Sequence, residues 1–110
     1  MSEEESGAAH EIELLEHNLQ HLAMQKQASN VELSETMNAL NELNNTHEEV
    51  YRMVGNIMVH ADKPTLQKEL EEQKHMLESR MHSIEKQEVL LEAKVKELRR
   101  ELIDNQKAKR

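Results

Sequence analysis

Apolar residues in the first half of the chain recur at intervals of three and four residues. With Ile12 as position a of a heptad, the a and d positions hold Ile12, Leu15, Leu19, Leu22, Lys26, Ser29, Leu33, Thr36, Leu40 and Leu43. Seven of these ten residues are apolar, and the pattern predicts a coiled-coil helix over residues 10–46. We expect the polar members, Lys26, Ser29 and Thr36, to weaken the middle of the seam and to help fix its register.

A second heptad stripe occupies the second half of the chain. Its a and d positions are apolar at Leu70, Leu77, Met81, Ile84, Leu91, Val95, Leu98 and Leu102 and polar at Gln67, Lys74 and Glu88. Asp62 is a suitable N-cap. Pro64 fits the first helical turn, because the N–H that proline lacks would have no intrahelical partner there. These signals predict a second coiled-coil helix over residues 63–107.

The segment between the two stripes has the composition of β-strands instead. Residues 50–61, VYRMVGNIMVHA, concentrate β-branched and large apolar side chains on both sides of Gly55 and Asn56. Glycine and asparagine tolerate positive φ, so this pair suits a tight reversal between two short strands. We therefore predict a β-hairpin over residues 50–61.

Together these elements predict a mainly α fold, a long antiparallel two-helix coiled coil whose bend is a short β-hairpin. Residues 1–9 are acidic, small and without a heptad pattern, and we expect them to form a disordered tail. Residues 10–107 are then expected to form a single domain.

Two alignments of the helices satisfy both heptad stripes. One pairs Leu40 with Leu70 and centres the bend on Gly55. The other is shifted by one heptad, pairs Leu40 with Leu77, and packs comparably well. We prefer the first because its bend coincides with the turn signal.

The predicted hairpin is apolar on both faces, and both of its outer edges lack strand partners. An isolated two-stranded ribbon is marginal in water, and open strand edges favour pairing with other chains. The ribbon could instead fold onto its own helix ends, but residues 44–48 at that junction are polar and give little cover. We therefore predict that it joins ribbons of other subunits in a larger sheet or barrel. The assembly residues are Val50, Tyr51, Met53, Val54, Gly55, Ile57, Met58 and Val59.

Charge and composition exclude several functional classes. The net charge is −8, which disfavours binding to nucleic acid. The charge is uneven, because residues 1–49 carry eleven acids and one base, whereas residues 50–110 carry eleven acids and thirteen bases. Cysteine is absent, and no apolar run approaches the roughly 20 residues that cross a bilayer. We expect a cytoplasmic protein without a membrane partner.

No arrangement of residues in the sequence indicates an active site. A glycine-rich phosphate loop and a nucleophile–base pattern are both missing, so we expect neither enzymatic activity nor a cofactor. His17 and His21 have the i, i+4 spacing of metal-binding histidines, but they occupy solvent-facing heptad positions. Two ligands rarely suffice for a specific site, and we predict no bound metal.

The combination of strands and flanking heptads resembles the β-type subunits of prefoldin, a hexameric cytosolic chaperone, and among them the archaeal ones. The resemblance covers about residues 10–105, and the hairpin is its distinctive part. It is carried by Val50-Tyr51-Arg52-Met53-Val54-Gly55, Ile57-Met58-Val59, Leu77, Arg80, Ile84, Lys86-Gln87-Glu88 and Lys94-Val95-Lys96-Glu97-Leu98.

The resemblance implies an α2β4 hexamer with prefoldin α-type subunits, in which hairpins form β-barrels and coiled coils project from them. It further implies that unfolded client proteins are held at the coiled-coil tips without ATP and delivered to a group II chaperonin. The client-binding tip residues would be Ile12, Leu15, Leu19, Leu98, Leu102 and Ile103. The alternative function is a structural coiled-coil adaptor that scaffolds fixed partners.

Overall fold

A computed structural model describes residues 3–108 of the chain. A long helix, α1 (Glu3–Asn45), is followed by two strands, β1 (Val50–Val54) and β2 (Ile57–Ala61), and by a second long helix, α2 (Lys63–Ala108). The order confirms the prediction of two long helices separated by a two-stranded antiparallel hairpin.

Helix α1 begins at Glu3 and not at the predicted residue 10. The heptad stripe starts only at Ile12, so it carries no signal for the preceding turns. The first turn contains Glu3, Glu4 and Glu5, and acidic side chains there interact favourably with the helix dipole. Residues 1 and 2 of the expected disordered tail lie outside the described residues.

The start of α2 confirms Asp62 as an N-cap. The backbone N–H of Thr65 donates to Asp62 Oδ2 over 3.3 Å, and the Thr65 hydroxyl donates to the same oxygen over 2.6 Å. The Leu66 N–H donates to the Asp62 carbonyl oxygen over 2.9 Å. The Thr65 hydroxyl, followed by its N–H, lowers the pKa of Asp62. The Asp62 carboxylate thus accepts a hydrogen bond from a backbone N–H that has no partner within the first helical turn.

The hairpin is closed by a two-residue turn. Strands β1 and β2 pair antiparallel, and Val54 lies opposite Ile57. Gly55 has a φ of 61°, and no other residue between 3 and 108 has a positive φ. Positive φ at the first central position alone corresponds to a type II′ turn. The predicted turn is therefore confirmed. Of the two residues that tolerate a positive φ, only Gly55 adopts one.

The chain forms two compact units, each containing parts of both helices. The first, named here the terminal unit, combines α1 up to Gln27 with α2 from His82 onward. Ile12, Leu15 and Val95 form its buried cluster, and the partly buried residues packed against that cluster are Leu19, Leu91, Leu98 and Leu102. These contacts join the start of α1 to the end of α2.

The second, named here the hairpin unit, spans residues 28–81. Leu77 is fully buried there, and Leu40 and Leu43 are also buried. Thr36 is buried as well, and its hydroxyl donates to the Glu32 carbonyl oxygen over 2.9 Å. The predicted single domain over residues 10–107 stays a prediction.

Contacts between the helices select the preferred alignment. Gln67 Nε2 donates to Asn44 Oδ1 over 2.8 Å. The preferred alignment places Gln67 opposite Leu43, directly beside Asn44. The shifted alignment would place Gln67 opposite Val50, which lies in β1 and outside the helix.

Candidate functional site

Most apolar side chains of the hairpin are exposed to solvent. Met53 is 70% exposed and Ile57 is 67% exposed, whereas Val50 is partly buried. The other exposed members of the predicted assembly set are Tyr51, Val54, Gly55, Met58 and Val59. Such side chains are normally removed from water, so this surface is suited to contact with another chain.

The exposed residues lie on both faces of the ribbon. Met53 pairs with Met58 across the strands, and the next pair, Val54 with Ile57, points to the opposite face. The described sheet contains only β1 and β2, so each strand keeps one edge without a strand partner. The alternative in which the chain's own helix ends cover the ribbon does not agree with these exposed fractions.

Polar contacts attach the hairpin to the helix that follows it. Arg52 forms an ion pair with Glu69 of α2. Lys63 Nζ donates to the Thr46 carbonyl oxygen over 2.9 Å, which links the residues flanking the two strands. On the ribbon itself, the rings of Tyr51 and His60 meet edge to face, with centroids 5.6 Å apart. The hairpin is therefore held in place by polar contacts while its apolar groups remain free.

The six predicted tip residues lie together in the terminal unit but differ in exposure. Ile12 and Leu15 are buried in the cluster with Val95. Leu19, Leu98 and Leu102 are partly buried against it. Ile103 is 51% exposed. The prediction selected mainly residues that the two helices bury against each other.

Three exposed apolar residues of the same unit escaped the sequence analysis. Leu14, Val89 and Leu90 are at least half exposed, with Leu90 reaching 71%. They occupy heptad positions other than a and d. An apolar residue at such a position indicates an apolar side chain outside the helix interface, and this signal was present in the sequence. An open groove at the surface runs past Leu19, Val89 and Val95.

Ion pairs connect the two helices within the terminal unit. Lys94 Nζ lies 3.4 Å from Glu11 Oε1, and Arg99 pairs with Glu16. These contacts join bases of α2 to acids of α1, as the uneven charge distribution favours. Both pairs are largely exposed, so each contributes only about 0–1 kcal/mol to stability.

A further ion pair lies at the seam. Lys26 Nζ lies 3.3 Å from Glu88 Oε1 and 3.7 Å from Glu85 Oε1. Lys26 and Glu88 both occupy a positions, where each interrupts its apolar stripe. The polar interruptions of the two helices therefore meet each other.

The described residues provide no site for a metal ion or a membrane span. Between residues 3 and 108, no three His, Asp or Glu side chains are grouped so that they could hold a metal. Of the two histidines at i, i+4 spacing, His21 makes a local contact instead, because its Nε2 lies 3.2 Å from the Gln25 side-chain nitrogen. In the same part of the chain, neither helix has an apolar stretch sufficient to span a membrane.

Comparison with known proteins identifies the family. The model of the prefoldin subunit family matches residues 9–109. A prefoldin subunit beta from Sulfurisphaera tokodaii is 36% identical over 93 residues, which cover 83% of this chain and 74% of that protein. A prefoldin subunit beta from Thermococcus onnurineus is 37% identical over 90 residues, covering 80% of this chain and 78% of that relative.

A solved structure supports the same assignment. The crystal structure of the prefoldin beta subunit from Thermococcus strain KS-1 is similar, with a TM-score of 0.87 and 30% sequence identity. The match covers 94% of this chain and 93% of that one. Sequence, hairpin and helices agree, and the chain belongs to the prefoldin subunit family as a β-type member of archaeal character.

Proposed function

We propose that this chain is a subunit of an ATP-independent holdase that binds non-native polypeptides and delivers them to a group II chaperonin. Membership of the prefoldin family supports a chaperone subunit. The observation that carries the proposal is the exposed apolar hairpin. The chain can assemble through this hairpin and does not need its helix ends for assembly. The proposed function requires neither catalysis nor a cofactor, and we infer that it is carried out in the cytoplasm.

The hairpin is the proposed assembly surface. Its two faces and two free strand edges allow contacts with several neighbouring subunits at once. We infer that it joins the hairpins of α-type and other β-type subunits in an α2β4 hexamer with a β-barrel core. Burial of Met53 and Ile57, which are now about two-thirds exposed, contributes to the stability of that assembly.

The proposed client-binding surface lies in the terminal unit. Leu14 and Ile103 are exposed there, and Leu98 and Leu102 are partly buried against the apolar cluster. The buried residues Ile12 and Leu15 hold the two helices of this unit together by packing with Val95. A single contact of this size is weak, but several subunits that grip one chain gain strength by avidity. Weak single contacts also allow release without ATP.

Paired substitutions test the client-binding surface. The assembled hexamer carrying Leu14→Ser and Ile103→Ser should need roughly tenfold more protein for equal protection of a denatured client, because several subunits lose contacts together. Light scattering of the aggregating client measures this. Removal of residues 1–15 and 98–110 should abolish protection while the hexamer remains.

The matched control replaces two exposed apolar residues of the hairpin unit, Val31→Ser and Met37→Ser. It should protect as well as the parent. If the terminal variants also protect fully, the proposed surface is wrong. If the parent protects no denatured client and instead binds one partner saturably, the chain is a structural adaptor.

A further inference from the structure

The hairpin carries two exposed methionines side by side. Met53 of β1 lies directly opposite Met58 of β2. Side chains at directly opposed positions of two strands lie on the same face, with Cβ atoms about 4.5–5.5 Å apart. Met53 is 70% exposed and Met58 is 66% exposed. Both thioether side chains are therefore accessible to a dissolved reagent and lie together on one face of the ribbon.

This pair differs in its chemistry from the pair on the opposite face. Val54 and Ile57 are also exposed, but their side chains are hydrocarbons and resist mild oxidants. Methionine is oxidised to methionine sulfoxide, which replaces a flexible apolar side chain by a polar one. Oxidation of Met53 and Met58 would therefore make one face of the ribbon polar and leave the other face apolar.

We propose that Met53 and Met58 form an oxidation site through which a hydroperoxide controls entry of the subunit into the hexamer. The inference rests on the proposed function, because it requires the hairpin to be the assembly surface. In the reaction, the methionine sulfur attacks the hydroperoxide, an S–O bond forms and the O–O bond breaks. The proton of the transferred oxygen moves to the departing oxygen. The sulfur is oxidised by two electrons, and the hydroperoxide is reduced to an alcohol, or to water if it is hydrogen peroxide.

The sulfoxide opposes assembly because it is a hydrogen-bond acceptor at a surface that assembly removes from water. An acceptor that is buried without a donor destabilises the buried state. Two sulfoxides at opposed positions cannot satisfy each other, since neither can donate. The doubly oxidised hairpin thus has a polar group in each strand of the face that formerly presented two apolar side chains.

Assembly and oxidation exclude each other at this site. Oxidation of methionine depends on access to the sulfur, and the proposed assembly buries Met53 and Met58. A free subunit is therefore sensitive to the oxidant, whereas a subunit already in the hexamer is shielded. The oxidant would stop new assembly without dismantling existing complexes.

The experiment oxidises the free full-length protein with hydrogen peroxide and removes the excess with catalase. Peptide mass spectrometry measures the sulfoxide at each methionine, and light scattering after size exclusion measures the hexamer formed with an α-type subunit. The oxidised protein should need roughly tenfold more α-type subunit for equal hexamer formation. Treatment with methionine sulfoxide reductases for both epimers and a thiol reductant should restore assembly.

Two substituted proteins locate the effect. Met53→Leu with Met58→Leu keeps the hairpin apolar at similar volume, so it should assemble and should lose its sensitivity to peroxide. Met24→Leu is the matched control, because Met24 is also 70% exposed but lies on α1 in the terminal unit. This variant should remain sensitive to peroxide.

Oxidation of the assembled hexamer gives an independent measurement. Met24 should be oxidised as in the free subunit, whereas Met53 and Met58 should react roughly tenfold more slowly. Equal rates at the three methionines would overturn the inference, because assembly would then leave the hairpin accessible.

The outcomes separate this inference from the proposed function. If the oxidised protein carries both sulfoxides and still assembles normally, the inference is wrong and the assembly surface stands. If peroxide still blocks assembly of the double leucine variant, or if the reductases do not restore assembly of the parent, the cause lies outside this pair and the inference is again wrong. A parent that forms no hexamer before oxidation would overturn both.

Discussion

Gly55 shows how one residue determines the geometry of the proposed assembly surface. Its φ of 61° lies in a region that side chains with a Cβ rarely adopt. A Cβ built at this position meets no atom within 4 Å, so the constraint comes from the backbone conformation and not from crowding. The turn therefore requires glycine although space is available.

Gly55→Ala should destabilise the hairpin by about 1 kcal/mol, because alanine must adopt the left-handed conformation. The effect should be visible as weaker assembly with an α-type subunit, measured by light scattering after size exclusion. Asn56→Ala is the control and should assemble normally, since Asn56 does not have a positive φ. Equal behaviour of the two variants would contradict the described turn.

Helix pairing depends on very few fully buried side chains. Leu77 is 0% exposed, while Leu90, on the same helix, is 71% exposed. Leu77→Ala should lower the free energy of unfolding by about 2–5 kcal/mol, because it leaves a cavity at the seam. Leu90→Ala should change it by less than about 0.5 kcal/mol. Thermal unfolding followed by circular dichroism measures both, and similar losses would show that the seam lies elsewhere.

Heptad spacing predicted both helices and strand composition predicted the hairpin, because each pattern directly reflects the side chains that an element buries. The start of α1 was not predictable in this way. Residues 3–11 precede the apolar stripe, and their helical state depends on charge at the helix end and on local propensity.

The candidate client surface was only partly predictable from the sequence. The sequence analysis selected Ile12 and Leu15 because they are apolar residues at a and d positions. Those are also the positions that the opposite helix covers. Exposure of Leu14 and Leu90 depends on which face of each helix remains free. Their positions outside a and d already indicated a free face, because a shift of one heptad keeps the same a and d residues at the interface.

Assembly of the proposed hexamer should depend on the hairpin and not on the helices. Met53→Ser with Ile57→Ser removes one large apolar group from each face of the ribbon. This variant should fail to form a hexamer with an α-type subunit, because those groups would no longer be removed from water on assembly. Its helix content should stay near that of the parent.

Mixing followed by light scattering and circular dichroism measures both properties. Val89→Ser with Leu90→Ser is the control, since these residues are equally exposed but lie in the terminal unit. A hexamer formed by the hairpin variant would disprove the proposed assembly surface.

The contact between the start of α1 and the end of α2 has a practical consequence for labelling. Affinity tags and fluorescent fusions are usually attached to a chain terminus, and the first described turn of α1 and the last described turn of α2 both belong to the terminal unit. A bulky group at either end would compete with any polypeptide that binds there, so a tagged preparation would understate the protein's affinity. A small dye at an exposed polar residue within a helix, such as Glu72 of α2, leaves both the helix ends and the hairpin accessible.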